Sequence, residues 1–237
     1  VEKESRYLDI LLAERAEGIV FTPVGKPDVD RIKRLLKCGI RIVVADRRVE
    51  GLPTVEADNR GGSRELTKYV LSLGYRRIVY IAGPEDVSTS QDRLLGFQEA
   101  MKAAGLEPVA VRRGNFTYES GYELAKLVLK TEKVDAIMCG NDLMAIGAIR
   151  AAEDEGLRVP DDLGVTGFDH VPWSDLVRPP LTTVEIPAFR IGQEALHKLL
   201  RDSVNIYCLE TRLIRGATVQ PNRKRKGGER RQQLSRD

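Results

Sequence analysis

Four times in this chain an amphipathic stretch runs into a glycine and is followed within a few residues by a strand-like run rich in β-branched residues. Leu35-Leu36-Lys37-Cys38-Gly39 precedes Ile40-Arg41-Ile42-Val43-Val44, and Val70-Leu71-Ser72-Leu73-Gly74 precedes Arg77-Ile78-Val79-Tyr80-Ile81. Gly105 precedes Val109-Ala110-Val111, and Gly156 precedes Leu163-Gly164-Val165-Thr166. Glycine closes a helix in the left-handed conformation without a Cβ penalty, so each instance predicts a helix-to-strand corner. The helices show apolar faces: Val29, Ile32, Leu35 and Leu36 in one, Leu66, Tyr69, Val70 and Leu73 in the next, Leu94, Phe97, Met101 and Ala104 in a third. The strands Gly18-Ile19-Val20-Phe21 and Asp135-Ala136-Ile137-Met138-Cys139 are near-continuous apolar runs rather than alternating ones. A strand covered on both faces requires that pattern, and helices alternating with such strands predict an α/β chain with a parallel, doubly wound sheet.

Several classes of protein are excluded by what the chain lacks. Its 237 residues suit one large α/β domain or two lobes. No apolar run approaches the length of a bilayer span, and the opening Val1-Glu2-Lys3-Glu4-Ser5-Arg6 is not a secretory signal, so a cytoplasmic protein is expected. Cys38, Cys139 and Cys208 are odd in number and far apart, which fits buried, inert thiols better than a disulfide or metal set. Of the 38 basic and 35 acidic residues, seven basic and two acidic ones fall within 223–237, which leaves a net charge of −2 on the rest. The excess of positive charge therefore belongs to that segment, which its composition predicts to be a disordered basic tail, and the body carries no general footprint for nucleic acid.

The polar residues fall at the carboxyl ends of the strands, where open parallel sheets bind ligands. Those ends read Thr22-Pro23, Asp46-Arg47, Gly83-Pro84, Asn115-Phe116, Asn141-Asp142 and Asp169-His170. Some could equally be helix caps, Asp142 above all. As a set, with Arg93 as a fork donor and Phe116 as an aromatic platform, they suit a polyhydroxylated or heterocyclic small molecule. No G-x-G-x-x-G, G-x-x-x-x-G-K-S/T or G-x-S-x-G motif occurs, and no activated nucleophile accompanies the Asp169-His170 pair, so neither catalysis nor a cofactor is expected. Trp173, the single tryptophan, is expected to pack rather than to stack on a ligand.

The run Gly140-Asn141-Asp142-Leu143-Met144-Ala145-Ile146-Gly147-Ala148 is followed by Gly156-Leu157-Arg158-Val159-Pro160, Gly167-Phe168-Asp169 and Pro179-Pro180-Leu181-Thr182-Thr183-Val184. In that order, with Val55-Glu56-Ala57-Asp58-Asn59-Arg60-Gly61-Gly62, Arg93-Leu94-Leu95-Gly96-Phe97 and Thr211-Arg212-Leu213-Ile214-Arg215-Gly216, these motifs resemble the lactose-repressor (LacI/GalR) family over residues 2–221. The resemblance implies a periplasmic-binding-protein-like body of two α/β lobes with an effector in the cleft. One lobe would comprise residues 1–58 and 185–213, the other 59–184 and 214–222. It also implies a homodimeric transcription regulator that meets operator DNA through an N-terminal helix-turn-helix. Arg93 resembles the family's arginine for effector hydroxyl or carbonyl groups and Asp169 the carboxylate that accepts from hydroxyls or ring nitrogens. Phe116 matches the aromatic wall and Asn141 the polar strand-end residue, while Asp46 and Glu185 sit at lobe-facing positions.

Relative to the family, the headpiece, hinge helix and first strand, helix and strand do not precede Ser5-Arg6-Tyr7-Leu8 in this sequence, so an unpaired sheet edge is expected in the first lobe. The implied effector is a sugar or a nucleobase-like molecule, and truncating Arg93 or Asp169 is expected to weaken its binding by about 2 kcal/mol with the fold intact. The alternative is a transport-type solute-binding protein, which shares the fold class but acts as a monomer.

Overall fold

The computed structural model describes residues 2–25, 27–201 and 206–222. The segment 223–237, expected from composition to be a disordered tail, lies outside the described residues. The chain forms two compact units. Of the described residues, the first takes those up to Asn59 together with Glu85–Gln91 and those within Ile186–Thr211, and the second takes Arg60–Pro84, Asp92–Glu185 and 212–222.

In the first unit, α1 (Glu2–Ala13), β1 (Gly18–Phe21), α2 (Val29–Lys37), β2 (Arg41–Ala45) and β3 (Thr54–Ala57) come from the start of the chain. The later α7 (Ala188–Arg201) and β9 (Ile206–Leu209) complete it. The four strands lie in the order β1-β2-β3-β9 and every pair is parallel. The unbroken apolar run in β2 divides between the two faces of this sheet. Ile42 and Val44 pack with Leu8, Ile32 and Leu35 from α1 and α2, whereas Val43 and Ala45 pack with Ile191, Ala195 and Leu199 of α7. A strand buried on both faces explains why no polar residue alternates within it. Among the described residues β1 pairs only with β2, and Val20 in its middle is 40% exposed.

The second unit carries α3 (Asn59–Ser72), β4 (Ile78–Ala82), α4 (Ser88–Ala103), β5 (Ala110–Arg113), α5 (Tyr118–Thr131), β6 (Ala136–Cys139), α6 (Asp142–Asp154) and β7 (Gly164–Thr166). Residues 59 and 88–91 at the starts of α3 and α4 group with the first unit. The parallel sheet order is β5-β4-β6-β7, and β8 (Thr183–Glu185) pairs antiparallel with β10 (Arg212–Ile214). Val79, Ile81, Ile137 and Cys139 face a core completed by Val128, Met144, Ala148 and Ala152 of α5 and α6. Tyr80, whose side chain alternates with theirs, stacks on Phe97 of α4 at 4.6 Å between ring centroids. The sheet is therefore wound on both faces. The four corner glycines, Gly39, Gly74, Gly105 and Gly156, all take left-handed φ values between 68° and 94°.

Two expectations about single residues need correction. Cys139 is buried, but Cys38 and Cys208 are exposed, because Cys38 is the cap residue just past α2 and Cys208 lies in the edge strand β9, where three of four residues are open to solvent. Trp173 does not pack into a core. It is 58% exposed on the short 3-10 turn Pro172–Asp175.

Candidate functional site

At the carboxyl end of the second unit's sheet a buried guanidinium forms the centre of the site. Arg93, 4% exposed on α4, donates from one terminal nitrogen to the Gly140 carbonyl at the end of β6, at 2.7 Å. Its other terminal nitrogen pairs with Asp169 Oδ1 at 2.8 Å, and the guanidinium lies 4.1 Å from the centroid of the Phe168 ring. A planar, permanently charged fork can satisfy a carbonyl, a carboxylate and an aromatic face together, which an ammonium cannot. Asp169 is itself held in an unusual backbone state, with φ at 109°, and His170 follows at 56°. Non-glycine residues adopt such angles only where their surroundings over-determine them, and such residues concentrate at ligand sites.

Phe116 lies beyond the end of β5 with φ at 67°, and its ring rests on Gly83 at the end of β4, where any Cβ would overlap ring carbons. Asn141 ties this loop to α6. Its Oδ1 accepts from the Met144 N–H at 3.0 Å as the N-cap of α6, and its Nδ2 donates to the Phe116 carbonyl at 2.9 Å. Glu185 is the cross-strand partner of Arg212 and accepts from its Nε at 2.8 Å, with His170 Nδ1 3.6 Å away. The Arg212 guanidinium holds the Glu185 carboxyl below the usual carboxylate range, and His170 adds to this. His170 therefore faces Glu185 and Asp175 rather than its neighbour Asp169.

Five of the six residues singled out from sequence are thus connected within the second unit. Arg93 bonds to Gly140, the residue before Asn141, and Asn141 bonds to the Phe116 loop. Arg93 also pairs with Asp169, whose backbone bridges that of Glu185. Asp46 belongs to the first unit. There it ends β2 with φ at 68°, its Oδ1 buried without a hydrogen-bond partner among the described residues. The neighbouring Arg47 reaches the Pro23 carbonyl at 2.5 Å and so joins the ends of β1 and β2. Among the described residues no cluster of three or more His, Cys, Asp or Glu could hold a metal ion, and no helix is long and apolar enough to cross a membrane.

Two of the strand-end residues have roles that the sequence did not assign to them. Gly83 carried no signal beyond its place at a strand end. Asp142, weighed as a cap, yields that role to Asn141 and is fully buried instead. Replacing Gly83 with Ala is expected to expel the Phe116 ring and lower the unfolding free energy by about 1–2 kcal/mol, since the half-buried ring can rotate outward rather than strain the core. Urea titration measures this. An unchanged midpoint would show that the ring gains nothing from its seat.

Parallel α/β units with polar residues gathered at their strand ends define the periplasmic-binding-protein-like class. Residues 67–219 match the family described as "Periplasmic binding protein-like domain". The HTH-type transcriptional repressor CytR of Escherichia coli K12 is 31% identical over 203 residues, a match that takes in 84% of this chain and 60% of the repressor. The solved complex of the transcriptional regulator CelR with cellobiose superimposes with a TM-score of 0.83 at 30% identity, over 91% of this chain and 69% of CelR. The lac repressor dimer bound to operator and an anti-inducer gives 0.83 at 26% identity, over 91% of this chain and 78% of the repressor. The chain belongs to the LacI/GalR family of transcription regulators. It spans about 60% of the length of the curated relatives it matches, and those relatives are regulators rather than enzymes.

Proposed function

We propose that this chain is the effector-binding and dimer-forming part of a LacI-type regulator. Its effector is a sugar or nucleobase-like molecule, and binding modulates the contact of an N-terminal helix-turn-helix with operator DNA. The observation that carries this reading is the buried Arg93 guanidinium, fixed by Gly140, Asp169 and Phe168 at the strand ends beside the Phe116 loop. A preorganised fork donor next to a carboxylate is suited to a ligand with adjacent donors and acceptors, and an aromatic ring nearby suits the apolar face of a sugar or the plane of a base. Asp169, Phe116 and Asn141 share this site, with Glu185 on its margin through His170. The cellobiose bound by CelR and the operator-bound dimer of the lac repressor support the same assignment by kinship. Regulation requires that the effector bind two arrangements of the dimer with different affinity.

Native mass spectrometry of protein purified from its own host identifies any co-bound small molecule, and calorimetry with cellobiose, D-ribose and adenosine surveys the two ligand chemistries. Asp169→Ala is expected to weaken binding of the ligand so found by about 2 kcal/mol, because polar ligand groups that have given up water lose their acceptor. Wild-type affinity in that variant would remove Asp169 from the site. Sedimentation equilibrium of the complete protein should give a dimer, as two headpieces on a two-fold operator demand. A monomer with tight sugar binding would instead favour a transport-type solute-binding protein.

A further inference from the structure

Among the described residues, Asp142 is the one buried carboxylate at this end of the second unit that neither caps its helix nor faces Arg93 in an ion pair. It is the first residue of α6 and is 0% exposed. Its Oδ2 accepts from the Val171 N–H at 2.9 Å and from Ser174 Oγ at 2.6 Å, and its Oδ1 accepts from Thr183 Oγ1 at 2.5 Å. Its own N–H donates to the Phe168 carbonyl at 2.8 Å. Gly167 leaves room for this carboxylate, since any Cβ there would overlap Asp142 Oδ1. Burial pushes the Asp142 carboxyl up, against the pull of the Ser174, Thr183 and Val171 bonds.

These contacts fall on both sides of one short segment. Phe168, which stacks on Arg93, lies just before Asp169 and His170, and Val171 and Ser174 lie just after. The two consecutive residues with positive φ are therefore held from both flanks by one residue, on the Phe168 side by its backbone N–H and on the Val171–Ser174 side by its carboxylate, and the third carboxylate bond anchors that side chain to β8. We propose that Asp142 is the positioning residue of the site: it holds the Phe168–Ser174 segment in the strained conformation that presents Asp169 to Arg93. Without its carboxylate the segment keeps the Asp169 N–H to Val184 bond, the bonds to the Phe168 and Ser174 carbonyls and the pair of Asp169 with Arg93, none of which engages the Val171 N–H that follows the two strained residues. This rests on the reading of Arg93 and Asp169 as the effector site for its functional meaning, but not for its test.

The test is hydrogen–deuterium exchange on the wild type, Asp142→Leu and Asp142→Asn, followed in the peptide over residues 168–176 and in the one over β4. Leu keeps the branched shape at a larger volume and removes every acceptor. It leaves the Val171 N–H and the Ser174 and Thr183 hydroxyls unpaired, so exchange over 168–176 should accelerate roughly 10- to 100-fold while β4 stays within about twofold. Asn restores the pattern, because its oxygen can accept from Val171 and Ser174 while its amide donates to Thr183, and should stay near wild type. Trp173, the single tryptophan, lies between Val171 and Ser174 and should become more accessible to acrylamide quenching in the Leu variant alone. Should Asp142→Leu fail to fold, Ser174→Ala removes one bond of the three and should give a smaller acceleration confined to the same peptide. Unchanged exchange over 168–176, or equal acceleration in β4, would overturn the proposal. No ligand enters this readout, so a protein that binds none of the small molecules tried would sink the effector assignment and leave the role of Asp142 standing.

Discussion

Arg93→Ala is expected to lower the unfolding free energy by about 2–3 kcal/mol and to weaken effector binding at least about thirtyfold. The loss of stability follows from what the guanidinium touches. Its removal strands the Gly140 carbonyl, takes the cation from the Phe168 face and leaves Asp169 without the partner 2.8 Å away. Breaking a fully buried pair costs about 3–5 kcal/mol, and the value is set lower here because the Asp169 side chain is 24% exposed and water can reach it. The sequence led to the expectation that either residue could be truncated with the fold intact. The burial of Arg93 gives that side chain a structural role beside the expected one, and truncating Asp169 takes a partner from the same buried guanidinium.

Variants of graded chemistry separate the two roles of Arg93. Arg93→Lys keeps the charge but cannot serve Gly140 and Asp169 with the geometry of a planar fork, so it should fall between wild type and Ala in stability. Asp169→Asn retains an acceptor for the guanidinium and should be the mildest of the three. Urea unfolding gives the stability order and calorimetry with the identified effector gives the binding order. A fully stable Arg93→Ala would mean that the guanidinium is held only by crowding and that its hydrogen bonds are no better than those with water.

What could be read from the sequence was local, and what could not was long-range. Gly39, Gly74, Gly105 and Gly156 announce their corners because the φ angle a helix end needs is a property of one residue. The run Ile42-Val43-Val44-Ala45 announces a strand covered on both faces because that demand falls on each side chain separately. The strand-end residues were found by position along the chain, but their partners were not. Asp142 meets Thr183 across 41 residues, and Arg93 meets Gly140 across 47. Nothing in the dipeptide Asn141-Asp142 says which of two good capping residues takes the cap and which turns inward. The same limit applies to the thiols of Cys38 and Cys208 and to the indole of Trp173. Their burial depends on what lies across from them, and an edge strand, a helix end and a projecting turn place nothing there.

The second large effect concerns Gly121 and Gly147, where α5 and α6 cross in backbone contact. A Cβ on Gly121 would overlap the Met144 backbone, and one on Gly147 would overlap the Tyr118 carbonyl oxygen and come within 2.7 Å of the Tyr122 nitrogen. Backbone cannot swing aside as a side chain can, so each alanine must push the helices apart. Each single Gly→Ala change is expected to cost about 2 kcal/mol net, after the roughly 1 kcal/mol that alanine gains over glycine inside a helix. Together they should cost less than the sum by about 0.5 kcal/mol or more, because the separation forced by the first makes room for the second. The displacement also bears on the site, since α5 begins just after Phe116 and α6 begins at the residue following Asn141. Widening the pair strains the 2.9 Å bond from Asn141 Nδ2 to the Phe116 carbonyl, and with it the cap on Met144. Urea unfolding of the two single variants and the double variant measures the coupling, and amide exchange at Met144 reports the cap. Strict additivity with an undisturbed Met144 amide would show that each methyl is absorbed locally and that the spacing of these helices does not set the position of the Phe116 loop.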